Sequence, residues 1–396
     1  MVYVDVSHLL EYLLQNRRLS GIQRVTLNCV LGLQNVLGDE NVRVIAFDRN
    51  LKQLCVGSAS IISDLANSKM NTALVINGAA LPEVGMHVCT PAQFTKGDQL
   101  LLTEWFWNSS VGNAFRELRK TTKVEVFRFI HDVLPLAIPE YFYKRLVKEF
   151  KINVEDALSY ADVVLTNSDY SKSDLRRLCG NVLDPNTPIH VLKLPHEFSG
   201  VANRSEPTSV QFSEPYALMV GTLEERKNTL AVVQAWRRLW REHGAKLPKL
   251  LLVGKFSWFD WTTLKLMIGL QIDRLTGAPI IRIKNCNDTD LSRLYRNCLF
   301  SIYVSKYEGW GLPIGECLWF GRPVLAGMAT SLPEVGGDLV DYVDVEEKNS
   351  LDVALESLIF NSQHLEHRAK RISEAKLRTI QDFINSLAKE LTETRS

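Results

Sequence analysis

Short β-rich runs, several of them continuously apolar, alternate along the chain with longer amphipathic ones, and no other feature limits the fold more. The short runs are Val2–Val6, Val42–Phe47, Leu74–Asn77, Leu100–Thr103, Val124–Ile130, Val163–Asn167 and Ile189–Leu192. Runs of this length with no polar face suit strands covered on both sides, which is the condition of a parallel sheet. Stretches such as Gly21–Leu37 and Phe142–Tyr160 have helical spacing and supply the crossovers. The pattern predicts an α/β chain with a doubly wound sheet. After Glu197–Pro215, which has Gly, Ser, Asn, Pro and Thr but no strong period, a second alternation begins. Its strands are expected at Tyr216–Val220, Leu250–Val253, Ile280–Ile283, Phe300–Val304 and Val324–Ala326.

At 396 residues, two domains are the simplest division. The expected boundaries are 1–197, a linker at 198–215, and 216–375. A last helical segment, 376–396, has apolar positions Ile380, Phe383, Ile384 and Leu387 that must pack on something, the first domain being one choice. A net charge of +1 argues against a dedicated nucleic-acid binder. Seven cysteines without a C-x-x-C pair argue against a structural zinc or a disulfide framework and point to a reducing compartment. No apolar stretch approaches the ~20 residues of a bilayer span. The expected location is cytoplasmic, with any membrane contact peripheral, for instance through Tyr143–Lys148, where basic and apolar residues mix.

Ligands of open α/β sheets sit beyond the carboxyl ends of strands. Five strand-following segments stand out. In Ser305-Lys306-Tyr307-Glu308-Gly309-Trp310-Gly311-Leu312-Pro313-Ile314-Gly315-Glu316, a glycine-bearing loop runs into a helix whose first turn suits Pro313. Backbone N–H groups there can cradle an anion, while Glu308 and Glu316 can accept bonds from a hydroxyl-rich ligand. Gly221-Thr222-Leu223-Glu224-Glu225-Arg226-Lys227 offers Arg226 and Lys227 to a diphosphate. His131-Asp132 ends a run of the first domain, and the carboxylate could orient the imidazole. Ser20-Gly21 opens the first long helix, with Ser20 as N-cap and Gly21 allowing close backbone approach. Ser331–Asp338 forms a further turn. Asp288-Thr289-Asp290 invites a metal reading but is better read as a helix start. There is no H-E-x-x-H and no G-x-G-x-x-G after the first strand.

The segment from Glu308 to Glu316 resembles the E-x7-E motif of retaining GT-B glycosyltransferases, and the chain most resembles glycosyltransferase family 4. Gly221–Asn228 is similar to the family's diphosphate loop. His131-Asp132, Pro139-Glu140-Tyr141 and Asn167–Ser171 resemble bacterial mannosyltransferases of O-antigen and capsule assembly. The resemblance implies a GT-B fold, two Rossmann-like doubly wound domains facing a central cleft. It implies a nucleotide-sugar donor held by the second domain, with Gly21, Thr222, Arg226, Lys227, Gly309, Trp310, Gly311, Leu312 and Glu316 as donor-binding residues. His131, Asp132 and Glu308 take the catalytic positions as positioning and electrostatic groups. Thr222 stands where many relatives have a basic residue, which throws weight onto Arg226 and Lys227. The implied reaction is metal-independent and retaining, needs no cofactor, and passes a hexose to a glycan or polyprenyl-linked acceptor. Mannose from GDP-mannose is the leading donor. A nucleotide-sugar epimerase of the same fold and a catalytically silent nucleotide-sugar-binding subunit are the alternatives.

Overall fold

A computed structural model describes residues 1–15, 19–62, 81–104, 109–199, 214–256, 261–284, 286–347 and 349–393. The expected strand at 74–77 and most of the expected linker lie outside them. The chain divides into two compact units. Unit 1 is Met1–Lys193 with Ile380–Ser396, and unit 2 is Leu194–Thr379.

Among the described residues, unit 1 carries eight strands: β1 Val2–Asp5, β2 Val42–Asp48, β3 Gln53–Ser58, β4 His87–Val88, β5 Gln99–Leu102, β6 Glu125–Ile130, β7 Val163–Thr166 and β8 Ile189–Val191. Their order is β4-β3-β2-β1-β5-β6-β7-β8. All neighbours from β2 to β8 are parallel, while β3 and β4 add an antiparallel margin. β1, β5 and β7 are buried at every residue, as strands with helices on both faces must be. One layer of core gathers Leu100, Leu102, Phe115 and Val126. Another gathers Ile130, Phe150, Val154 and Leu175. The order reverses between β1 and β5, so the loops after those two strands flank the switch point, the usual ligand crevice of such sheets.

The helix Ile380–Glu393 belongs to this unit. It buries Phe383, Ile384, Leu387, Ala388 and Leu391. Ile384 lies against Gly32 of the helix Gly21–Leu37, so closely that a Cβ at 32 would stand 2.3 Å from its Cγ1. The Gln99 amide also donates to the Leu391 carbonyl at 2.7 Å.

Unit 2 carries β9 Tyr216–Val220, β10 Lys249–Val253, β11 Ile280–Ile283, β12 Ser301–Tyr303, β13 Val324–Gly327 and β14 Asp341–Val343. They are ordered β11-β10-β9-β12-β13-β14, and all are parallel. This is the order 3-2-1-4-5-6 of a Rossmann sheet, with the switch point between β9 and β12. Trp236 is fully buried in a core cluster that also holds Val232, Leu250, Phe300 and Leu355. Unit 2 begins at Leu194 rather than after 197 because the following turn is tied into it. The His196 backbone N–H donates to the Arg378 carbonyl at 2.9 Å. The His196 ring is also held, bonding the Val335 carbonyl at 3.0 Å and receiving the Arg378 N–H at 3.0 Å. Among the described residues, no helix is long and apolar enough to cross a membrane.

Candidate functional site

The loops after β9 and β12 flank the switch point of unit 2, and the expected donor-binding residues of this unit fall on them. β9 ends at Val220, and Gly221 follows with φ 145°. Only glycine fits there comfortably, because that φ lies outside the region open to L side chains. The neighbouring chain is just as close. A Cβ on Gly254 would stand 1.8 Å from the Gly221 carbonyl oxygen. Leu223 then bonds the Lys255 carbonyl at 2.8 Å, and a short 3-10 turn, Glu225–Lys227, delivers both basic residues. Asn228 takes the left-handed conformation that ends this turn, which asparagine tolerates better than most residues.

Lys227 is buried. Its Nζ donates to the Tyr303 hydroxyl at 2.7 Å and forms an ion pair with Glu308. Arg226 reaches the same carboxylate at 3.1 Å, the Tyr307 carbonyl at 3.0 Å and Glu224 at 2.7 Å. Burial by itself would raise the Glu308 pKa, but the charges of Lys227 and Arg226 outweigh it and bring it down to about 2. Burial lowers the Lys227 pKa, opposed by Glu308. Two cations therefore face two carboxylates, Glu308 and Glu224, and the four charges sum to zero.

The loop around Glu308 is fixed by the turn after β13. The Ser331 hydroxyl donates to the carbonyls of Glu308 and Trp310, both at 2.9 Å, and the Glu308 N–H donates to Thr330 Oγ1 at 3.1 Å. Gly311, with φ 122°, leads into the helix Leu312–Trp319, whose first turn carries Pro313. Leu312 opens that helix directly after the Gly309–Gly311 loop; Pro313 has no N–H and the Ile314 N–H donates to the Gly311 carbonyl at 3.0 Å, so the Leu312 N–H is the first-turn donor nearest the loop. Glu316 lies one turn in, buried, and accepts a bond from the Tyr295 hydroxyl at 3.0 Å. Trp310 is buried while Thr222 is exposed. The structure thus brings Thr222, Arg226, Lys227, Glu308, Gly309, Trp310, Gly311, Leu312 and Glu316 to one end of one sheet.

His131, Asp132 and Gly21 belong to unit 1. His131 is buried just after β6, and its Nε2 bonds the Thr103 carbonyl at 2.9 Å. A carbonyl accepts only, so Nε2 carries the proton. Burial brings the imidazole pKa down to about 4, leaving a neutral ring at pH 7. The backbone of Thr103 holds the ring, and Asp132 Oδ1 accepts the Leu134 N–H at 3.2 Å, capping the next turn. Ser20 precedes the helix Gly21–Leu37 in extended conformation, but its hydroxyl makes no bond to the helix backbone and instead donates to the Gln23 side chain. Asp288 and Asp290 lie in the first turn of the helix Asp288–Asn297, with Asn287 capping it through the Asp290 N–H at 2.6 Å.

Tyr303 and Glu224 were not singled out in the sequence. A tyrosine at the end of an apolar run reads as core, and Glu224 was lost in a charged string of four. Their roles follow from Lys227 and Arg226 needing partners once buried.

Residues 204–378 match the family model described as "Glycosyl transferases group 1". The chain is 30% identical over 262 residues to O-antigen chain mannosyltransferase B of Escherichia coli, covering 62% of this chain and 64% of that protein. It is 26% identical over 306 residues to the serotype-specific mannosyltransferase WbdA of Escherichia coli, covering 72% and 36%. The chain thus spans less than two thirds of the length of these relatives. Anabaena Alr3699/HepE, solved in complex with UDP and glucose, superposes over 99% of both chains with a TM-score of 0.61 at 13% identity. Sucrose-phosphate synthase from Thermosynechococcus elongatus superposes over 75% of this chain and 73% of its own, with a TM-score of 0.57 at 17% identity. The fold is GT-B.

Proposed function

We propose that this chain, GT-B in fold and with a group 1 glycosyl transferase domain over 204–378, is a retaining hexosyltransferase of surface polysaccharide synthesis. It would move mannose from GDP-mannose to a glycan or lipid-linked glycan. The observation that carries the reading is the cluster of Lys227, Arg226 and Glu308 beside a helix N-terminus at the unit 2 switch point. A sugar leaving group of this kind is a nucleoside diphosphate, and its developing charge needs fixed positive groups. Lys227 and Arg226 supply them, with the positive end of the helix that starts after Gly311 beside them. In this reading the diphosphate takes Lys227 from Glu308, and the released carboxylate turns to sugar hydroxyls. Glu316, with one oxygen on Tyr295, suits paired ribose hydroxyls. The neutral His131 serves as a positioning and electrostatic group near the reacting sugar, as a hydrogen-bonding partner and not a charge. No metal is needed in this scheme, because protein cations hold the leaving group. The similarity to two mannosyltransferases supports mannose as the sugar.

The test is a thermal-shift screen against GDP, UDP, dTDP, ADP and their sugar conjugates, with and without chelator. One nucleotide should raise the Tm regardless of chelator. Lys227→Ala should abolish that shift and reduce transfer at least 100-fold. Unchanged transfer in Lys227→Ala and Glu308→Ala would refute the reading.

A further inference from the structure

The switch point of unit 1 holds a charged pair that the scheme above leaves unused. β1 ends at Asp5, and His8 is the second residue of the helix Ser7–Gln15. β5 ends at Leu102, and Glu104 follows two residues later. These are the two loops where the strand order reverses, the place where doubly wound sheets take their ligands. There the His8 Nδ1 pairs with the Glu104 carboxylate. The Gln23 amide donates to the same oxygen, Oε2, at 3.0 Å, and the Ser20 hydroxyl in turn bonds Gln23. The Glu104 side chain is 1% exposed and that of His8 is 28% exposed. The carboxylate therefore lies beneath and the imidazole at the rim. Glu104 Oε1 is buried with no hydrogen-bond partner among the described residues, so His8 and Gln23 are what hold this carboxylate. The same segment also steadies His131 through the Thr103 carbonyl, and Arg128 donates to the Glu104 carbonyl at 2.6 Å.

We propose that His8 contacts substrate in unit 1. Glu104 and Gln23 fix its Nδ1 edge inward, and its Nε2 edge hydrogen-bonds a hydroxyl of the acceptor sugar. A histidine with one ring nitrogen held by a carboxylate presents the other in a set direction. The ligand class follows from charge. Burial lowers the His8 pKa, but the carboxylates of Glu104, Glu11 and Asp5 outweigh it and raise it, so the ring stands among three acidic groups. Such a place has no surplus positive charge for a phosphate and suits a neutral polyol. Glu104 is then a positioning residue acting through His8. The inference rests on the transferase reading for the word acceptor.

His8→Gln separates this role from mere fastening, because the glutamine amide can keep the bond to Glu104 but offers no second ring nitrogen. The assay uses GDP-mannose and p-nitrophenyl α-D-mannoside. The expected result is a Tm within about 2 °C of the parent, an unchanged donor KM, and an acceptor kcat/KM lower by about 10- to 100-fold. An unchanged acceptor kcat/KM would overturn the proposal and leave His8 as a strut between the helix and β5. If the parent protein turns over no donor, the transferase reading fails by itself. The His8 contact is then judged by imidazole NMR, titrating the methyl glycosides of mannose, glucose and galactose. Movement of the Nε2 resonance that is absent in His8→Gln supports it, and no movement with any of the three overturns it.

Discussion

Replacing Glu308 by Gln should weaken the free protein and tighten its hold on nucleoside diphosphate. In the wild-type site Glu308 is 7% exposed and answers both Lys227 and Arg226. Its pKa falls from an ordinary 4.5 to about 2, which corresponds to about 3 kcal/mol at neutral pH. Removing one partner of a buried pair costs about 3–5 kcal/mol, so the two figures agree. A domain of roughly 150–250 residues loses about 2–4 °C of Tm per kcal/mol, so unit 2 should melt roughly 6–20 °C lower. The stabilisation also has a sign in pH. Because the folded pKa is depressed, it is complete above about 4.5 and is lost as pH falls toward 2, and the Gln variant should lack this slope. A bound diphosphate would restore the missing negative charge. The nucleoside diphosphate that stabilises the parent should therefore bind Glu308→Gln about tenfold tighter or more, while transfer collapses. Differential scanning calorimetry and isothermal titration across pH 3–8 measure both effects. A variant melting within about 1 °C of the parent, and binding the nucleotide no tighter, would refute the idea that Glu308 is the resident counter-charge of Lys227.

Three further outcomes are expected. The His131 imidazole should titrate near pH 4 by NMR, so its contribution to stability is complete above about 6.5 and declines as pH falls toward 4; a midpoint above 6 would contradict the burial argument. Gly254→Ala should push the Gly221 carbonyl aside, costing about 1–3 kcal/mol and most of the nucleotide-induced thermal shift, measured together by calorimetry with and without ligand. Ile384→Ala should destabilise unit 1 by about 2–5 kcal/mol in urea titration while leaving nucleotide binding at the parent affinity.

Much of this was legible because its signals are local. A continuous apolar run located β9 to the residue, the β-branched run around Arg282 located β11, and helical spacing located Gly21–Leu37. Gly311 and Pro313 announced a loop entering a helix, and the charged string before Asn228 announced the basic turn. What escaped depends on distance or brevity. β4 and β14 are two and three residues long, too short for a period, and β3 has a solvent margin that dilutes its apolar run. His8 and Glu104 lie 96 residues apart and meet only because β1 and β5 are neighbours. Read singly, one is a polar helix residue and the other an acid before an aromatic run. The bond from His131 Nε2 to the Thr103 carbonyl escaped for the same reason, since the two residues lie 28 apart in the chain.

The return of Ile380–Glu393 to unit 1 sets an order of assembly. Unit 2 is one uninterrupted stretch of chain, whereas unit 1 is written in two instalments with unit 2 between them. Unit 2 holds all of its own chain before Ile380, while unit 1 still lacks the helix that closes over Gly32. Until synthesis reaches Leu391, that surface stays uncovered. The helix Ile380–Glu393 thus acts as the clasp of the first unit, and a frameshift within it would spare the candidate nucleotide site while leaving unit 1 unsealed.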